Sequence, residues 1–246
     1  MNWENTLEEL EKGNLRAAYK ENGEWKVNLD VKRAILDAFK AGKLIEWEGF
    51  VDKHNLLPQK FTAENNIRLV PGGSSVRKGA YVSSGVIIMP PSYINIGAYV
   101  GEGSMVDSNS LVGSCAQIGK NVHLSAGVQI GGVLEPIGER PVIIEDDAFI
   151  GAGSILVEGI LVGKRAVIAP GVVLSKSVPI YDLVNKRVLE KGEAIPENAV
   201  VIPGTRPVKK ENEWAHAQGL SLNCALIVKY RDEKSDASLE LEQFLR

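Results

Sequence analysis

From Val76 onward the chain keeps one spacing. Val76, Val82, Ile88, Ile94, Val100, Val106, Val112, Ile118, Leu124 and Ile130 fall on every sixth position. After one interruption the spacing resumes at Ile144, Ile150, Leu156, Val162, Ile168, Leu174 and Ile180. Apolar residues fill about half of an average chain, yet an unbroken run of branched aliphatics on one spacing is a pattern and not chance. An α-helix repeats every 3.6 residues and a strand every two, so neither produces a beat of six. A chain that lays down a short flat strand and then turns a corner does.

The residue four places after each aliphatic supports this reading. Ala80, Val86, Ser92, Ala98, Ser104, Ser110, Ala116, Val122, Val128, Leu134, Ala148, Ser154, Ile160, Ala166, Val172 and Val178 are nearly all small or β-branched, as the interior of a narrow prism requires. Asn95, Gly101, Asp107, Gly113, Gly119, Glu145, Gly151 and Gly163 directly follow an aliphatic and suit corners. Three hexads close a triangular coil of about eighteen residues, and about six coils stack at roughly 4.8 Å each. The spacing therefore predicts a mainly β fold, a parallel β-helix of hexapeptide repeats over 67–183. Exposed strand rows at the ends of such a stack invite aggregation unless capped. Residues 1–66 read as an N-terminal α-helical domain, with Val31, Ile35, Leu36 and Phe39 on one side of a helix at Val31–Ala41. Residues 184–246 read as a small C-terminal β cap and tail. It has strands at Ala199–Ile202 and Leu220–Lys229 and a short helix at Ser238–Arg246.

The interruption from Ile130 to Ile144 covers fourteen residues where two hexads take twelve. One ordinary hexad plus an eight-residue excursion near 134–142 accounts for it. A loop thrown out of a regular prism loses ladder hydrogen bonds, so a use is expected for it beyond a tolerated insertion.

Composition narrows the function classes a little. The 246 residues carry a formal charge of −3 and 6% aromatics, with no basic patch interleaved with aromatics, so no nucleic-acid partner is expected. No apolar run of membrane-spanning length and no signal sequence is read, so a cytoplasmic protein with no membrane partner is expected. Cys115 and Cys224 stand far apart and suggest no disulfide framework. His123 is the sole histidine inside the repeats. A zinc-dependent prism needs three imidazoles per site, so no metal site is expected. A non-catalytic scaffold is the other rival, but an ice-binding face would show repeated threonines, and the repeats contain none.

Local sequence is more specific than the period. The stretches Asn66–Gly72 (NIRLVPG), Ile94–Ser108 (INIGAYVGEGSMVDS), Val112–Pro136 (VGSCAQIGKNVHLSAGVQIGGVLEP) and Leu220–Tyr230 (LSLNCALIVKY) resemble the tetrahydrodipicolinate N-succinyltransferase family. Asn22–Gly49 is similar to that family's helical N-terminal domain. The resemblance implies a left-handed β-helix and a homotrimer with active sites between subunits. It also implies transfer of succinyl from succinyl-CoA, as co-substrate with no permanently bound cofactor, to the amine of L-2-amino-6-oxopimelate in the diaminopimelate and lysine pathway. An N-acetyltransferase using acetyl-CoA on the same acceptor is the nearest alternative.

Two residues carry over from family motifs. Arg68, in IRLVPG, matches a substrate-binding arginine, whose planar guanidinium can grip a carboxylate with two parallel bonds. Asp107, in MVDS, matches a substrate-binding aspartate placed to bond the attacking amine. A surface ion pair is the plain alternative for Arg68, and an ordinary corner acid for Asp107. Ser125 follows Asp107 by eighteen residues and so stacks on it, which places His123 near the same corner as a candidate general base. A structural histidine is the competing reading. Some members of the family carry a glutamate where this chain has Ile155, and Glu135 or Glu158 could take its place. For CoA, Gly151, Ala152 and Gly153 could receive the pantetheine arm, and Lys164, Arg165, Lys176 and Arg206 its phosphates. Cys115 has no histidine in its coil and reads as inert.

Overall fold

The computed structural model describes residues 2–232, so the helix expected at Ser238–Arg246 lies outside the described residues. Between Ser75 and Leu174 the chain alternates two-residue strands with four-residue corners, except where the excursion leaves. The strands stack into three parallel sheets, the faces of a prism. The first face contains Ser75–Val76, Tyr93–Ile94, Leu111–Val112, Gln129–Ile130, Ile155–Leu156 and Val173–Leu174. The second contains Tyr81–Val82, Tyr99–Val100, Gln117–Ile118, Ile143–Ile144 and Leu161–Val162. The third begins at Arg68–Leu69 and continues through Ile87–Ile88, Met105–Val106, His123–Leu124, Phe149–Ile150 and Val167–Ile168. The class is that expected, a mainly β hexapeptide-repeat helix with an N-terminal helical region and a C-terminal β cap.

Register fixes the coil length. Tyr99 pairs with Gln117 and Met105 with His123, eighteen residues on. Gln117 pairs with Ile143, twenty-six residues on. The difference of eight is the excursion, which leaves the corner between the first and second faces. In each pair the second residue points inward, and Val76 through Leu174 form one continuous core with the small residues of the corners. At most corners the turn falls on the third residue after the aliphatic, in the left-handed region. Asn109 (60°), Asn121 (52°) and Asp147 (60°) hold it comfortably, since their short polar side chains tolerate that conformation.

The N-terminal region contains two helices, α1 at Trp3–Glu11 and α2 at Leu29–Ala41. Asn28 caps α2 by accepting from the Val31 amide at 3.2 Å. Val31 and Ile35 are buried as expected, while Leu36 and Phe39 are only partly covered. The region is less helical than the sequence reading held. Ala18–Glu21 pairs with Glu24–Val27, and Leu44–Trp47 with Phe50–Lys53, as two antiparallel hairpins. Their turns, Asn22-Gly23 and Glu48-Gly49, place both residues at positive φ, the geometry whose twist matches paired strands.

This region covers the second face. Gln117, Ile143 and Leu161, which would otherwise face solvent, are buried. Leu7, Leu10, Val31, Ile35 and Leu56 form a second core with Ile96 and Cys115 from the corner between the first and second faces. The first and third faces stay open.

The other end is closed by the chain's own C-terminal part. Ala199–Pro207 extends the third face by pairing Val200 with Val167 in parallel, then pairs antiparallel with Ser221–Tyr230. A short helix, α3 at Glu213–Ala217, lies in their connection.

Candidate functional site

The corner between the third and first faces holds the Asp107 column. The Asp107 amide donates to the Leu124 carbonyl at 2.9 Å, and its carbonyl accepts from the Ser92 hydroxyl at 2.7 Å. One carboxylate oxygen, Oδ1, accepts from the Ser108 amide at 2.7 Å. The other has no partner among the described residues. Neighbouring coils therefore fix the backbone while half of the carboxylate stays open to a donor such as an amine.

The outward column of the third face reads Arg68, Ile87, Met105, His123, Phe149, Val167. Arg68 is exposed on its first strand, beside a cavity of about 370 Å³ lined in part by Asn66, Ile67, Val86 and Ile87. It makes no ion pair with any described residue, so the surface-pair alternative has no partner here. His123 sits three coils further on, half-buried and stacked on Phe149 with ring centroids 4.9 Å apart. Arg68 and the Met105–Asp107 coil are two coils, roughly 10 Å, apart along the axis. The open face thus offers a guanidinium at one end, an apolar stretch at Ile87 and Met105, and a carboxylate with an imidazole at the other.

The candidate CoA residues are not gathered in one place. Gly151, Ala152 and Gly153 lie on the Asp107 corner, two coils above it. Gly151 is a glycine for a local reason, because a Cβ there would collide with the backbone nitrogen of Pro170. Gly153 holds the left-handed corner position at φ 69°. Lys164 and Arg165 occupy the corner between the second and third faces, where Lys164 Nζ lies 3.9 Å from Asp146 and Arg165 Nε donates to Asn198 at 2.9 Å. Lys176 sits on the remaining corner, ion-paired with Glu139 of the excursion, and its amide donates to Glu158 at 2.9 Å. Arg206 is on the C-terminal hairpin opposite Leu222, and its buried Nε has no partner among the described residues. A single chain does not bring these seven residues together. Glu135 and Glu158 share a cavity of about 540 Å³ at the excursion corner with Lys176, away from the Asp107 corner of their own chain.

Cys115 is fully buried at a left-handed corner (φ 67°). Burial pushes its thiol up to about 12, so it stays protonated and serves as core. Lys32 of α2 is also fully buried, with its ammonium donating to the Glu139 carbonyl at 2.6 Å. That contact ties α2 to the excursion, and no spacing in the sequence announces it because the partners lie 107 residues apart. Among the described residues no cluster of three or more His, Cys, Asp or Glu could hold a metal ion. No helix among them is long and apolar enough to cross a membrane.

The prism places the chain in the class of hexapeptide-repeat proteins, and the family model described as the hexapeptide repeat of succinyl-transferase matches residues 141–176. The model for the tetrahydrodipicolinate N-succinyltransferase N-terminal region matches residues 3–40. Three relatives are named 2,3,4,5-tetrahydropyridine-2,6-dicarboxylate N-succinyltransferase. The Legionella pneumophila protein is 44% identical over 98% of this chain and 86% of its own length. That of Ralstonia pickettii is 45% identical over 98% and 87%, and that of Paraburkholderia phymatum 46% over 98% and 86%. The chain belongs to the tetrahydrodipicolinate N-succinyltransferase family.

Proposed function

We propose that the chain transfers the succinyl group of succinyl-CoA to the amine of L-2-amino-6-oxopimelate, in the diaminopimelate route to lysine. The observation that carries this reading is identity of 44–46% with named N-succinyltransferases across 98% of the chain. The order of groups along the open third face supports it independently.

In this reading Arg68 grips one acceptor carboxylate and the free oxygen of Asp107 receives the amine N–H. The amine nitrogen attacks the thioester carbon and the C–S bond breaks. The amide forms, the nitrogen's proton passes to a base, and CoA leaves as thiolate. His123 is the imidazole nearest Asp107 in the coil register and takes the base role. A thioester is already an activated acyl donor, so no covalent enzyme intermediate is needed. The Gly151 and Gly153 amides already donate to the Ile168 and Ala126 carbonyls at 2.7 and 2.9 Å, so at that corner the Ala152 amide is the one assigned to the thioester oxyanion.

A homotrimer accounts for the scattering of the CoA candidates. Groups on different corners of one prism meet only when a neighbour brings its own corner alongside. The open first and third faces leave room for such neighbours, whereas the covered second face does not. Lys176, Glu135 and Glu158 of one protomer would then face Asp107 of the next.

The test is turnover of the purified protein with the acceptor and either succinyl-CoA or acetyl-CoA, followed by release of the CoA thiol. A strong preference for succinyl-CoA is expected. Preference for acetyl-CoA would overturn the donor assignment, and silence with both would overturn the reading. Sedimentation equilibrium should give three times the monomer mass.

A further inference from the structure

The seam between the N-terminal region and the prism holds a cavity of about 280 Å³ that the proposed transfer does not use. Four basic side chains, Arg16, Lys20, Lys120 and Lys164, line it against two acidic ones, Glu145 and Asp146. The acids are already engaged. Glu145 is buried and accepts from Lys20 at 2.5 Å and from the Trp25 indole at 2.7 Å. Asp146 accepts from the Lys120 amide at 2.9 Å. The Lys120 ammonium has an exposed partner outside the cavity, Glu102 at 3.2 Å, a weak attachment in water.

Arg16 is held differently. Its guanidinium lies 3.7 Å over the Tyr99 ring and 5.5 Å from that of Trp25, and its Nε donates to Gln117 at 2.9 Å. The rings and the amide fix the plane of the fork. The terminal nitrogens have no acceptor among the described residues, and no carboxylate forms an ion pair with them. Burial works against the charge and lowers the Arg16 pKa. A preorganised, partly desolvated guanidinium edge that no carboxylate among the described residues pairs with, backed by two lysines, is the arrangement that binds phosphate and carboxylate groups.

We propose that this seam cavity binds a compact, multiply charged anion of phosphate or dicarboxylate type. Arg16 serves as the bidentate fork, and Lys120 and Lys164 as point charges. Arg16 comes from the N-terminal region and both lysines from the prism, so the anion bridges the two and stiffens their docking. Lys164, a candidate for CoA phosphates from the sequence, lines this cavity 3.9 Å from Asp146 and is assigned to it instead. The site stands independently of the acyl-transfer reading.

The test is thermal unfolding and tryptophan fluorescence of the full chain with pyrophosphate, inorganic phosphate or succinate, and with sodium chloride at matched ionic strength. At least one multiply charged anion should raise Tm saturably by several degrees, since a ligand of the folded state stabilises it by mass action. Chloride should not. Lys120→Gln, an exposed change with little risk to folding, should weaken the apparent affinity about tenfold, and Arg16→Gln should abolish the effect. The fluorescence change should vanish in Trp25→Phe. A response to phosphate and pyrophosphate alone identifies a phosphate ligand, and one to succinate alone a dicarboxylate. The proposal is overturned if no anion exceeds chloride. It is equally overturned if Lys120→Gln keeps the wild-type response, which would place the anion elsewhere.

Discussion

The imidazole of His123 lies against the ring of Phe149, with the two planes 23° from parallel. The stack covers one face of the imidazole and fixes its plane, while the ladder register puts its strand one coil beyond Met105 and so beside Asp107. A proton acceptor for an attacking amine needs both a fixed orientation and reach. His123→Gln is expected to lower kcat by about 10²-fold or more. Phe149→Leu, which loosens the imidazole ring without removing it, should cost less. A nearly silent His123→Gln would assign the histidine to packing.

Asp107→Asn keeps the shape of the corner and its backbone bonds but takes the charge from the oxygen left open to the amine. Activity is expected to fall by about 10²-fold, with CoA affinity unchanged when measured by calorimetry. If binding of CoA weakens in step with the rate, Asp107 supports the fold of the corner and not the acceptor.

Arg68 is exposed and unpaired among the described residues, so its replacement carries little structural risk. Arg68→Lys retains the charge and loses the fork. The acceptor KM is expected to rise about tenfold, with a smaller change in kcat. An unchanged KM would detach Arg68 from substrate.

Asp182 offers a stability test away from the site. Its buried carboxylate accepts from the Val184 amide (3.1 Å), from the Asn185 amide and side chain (3.0 and 2.7 Å), and from the Tyr230 hydroxyl (2.8 Å). Burial alone would raise this carboxyl, but the hydrogen bonds outweigh it and hold it below the ordinary range. Its contribution is therefore complete above the unfolded value of about 3.9 and is lost as pH falls through the lower folded value. Asp182→Asn should cost about 1–3 kcal/mol at neutral pH and flatten the acid limb of the stability curve, read by urea unfolding.

Lys32 gives a slope of the same sign at the other end of the pH scale. Burial lowers its pKa, so folding disfavours the charged form. Stability from this group rises with pH between the lowered folded value and the roughly 10.4 of an unfolded lysine. Lys32→Met should remove that alkaline slope. It should also release the Glu135–Pro141 segment to faster proteolysis, because the Glu139 carbonyl loses its buried donor.

The prism was legible because its period is written residue by residue, and the eight extra positions before Ile144 could be counted directly. Arg68 and Asp107 were legible only through family motifs, since an acidic residue after an aliphatic is ordinary corner chemistry. The hairpins at 18–27 and 44–53 were missed, although Asn22-Gly23 is a strong turn signal. Neighbouring helical periodicity in α2 outweighed it. Arg16 with Tyr99, and Lys32 with Glu139, could not be read at all. They meet only because the N-terminal region folds back on the second face, and nothing local in either segment encodes that docking.

The strand at Ala199–Pro207 caps the third face by joining the ladder in the same sense as every strand before it. Any coil would have presented it the same edge. The gap between the Asp107 corner and the arm bearing Arg206 is thus measured in whole turns of chain, like teeth on a rack. Duplicating the eighteen residues around Ile150–Val167 would slide that arm one notch along the axis and leave both ends intact, so the reach of the molecule can change by copying rather than by redesign.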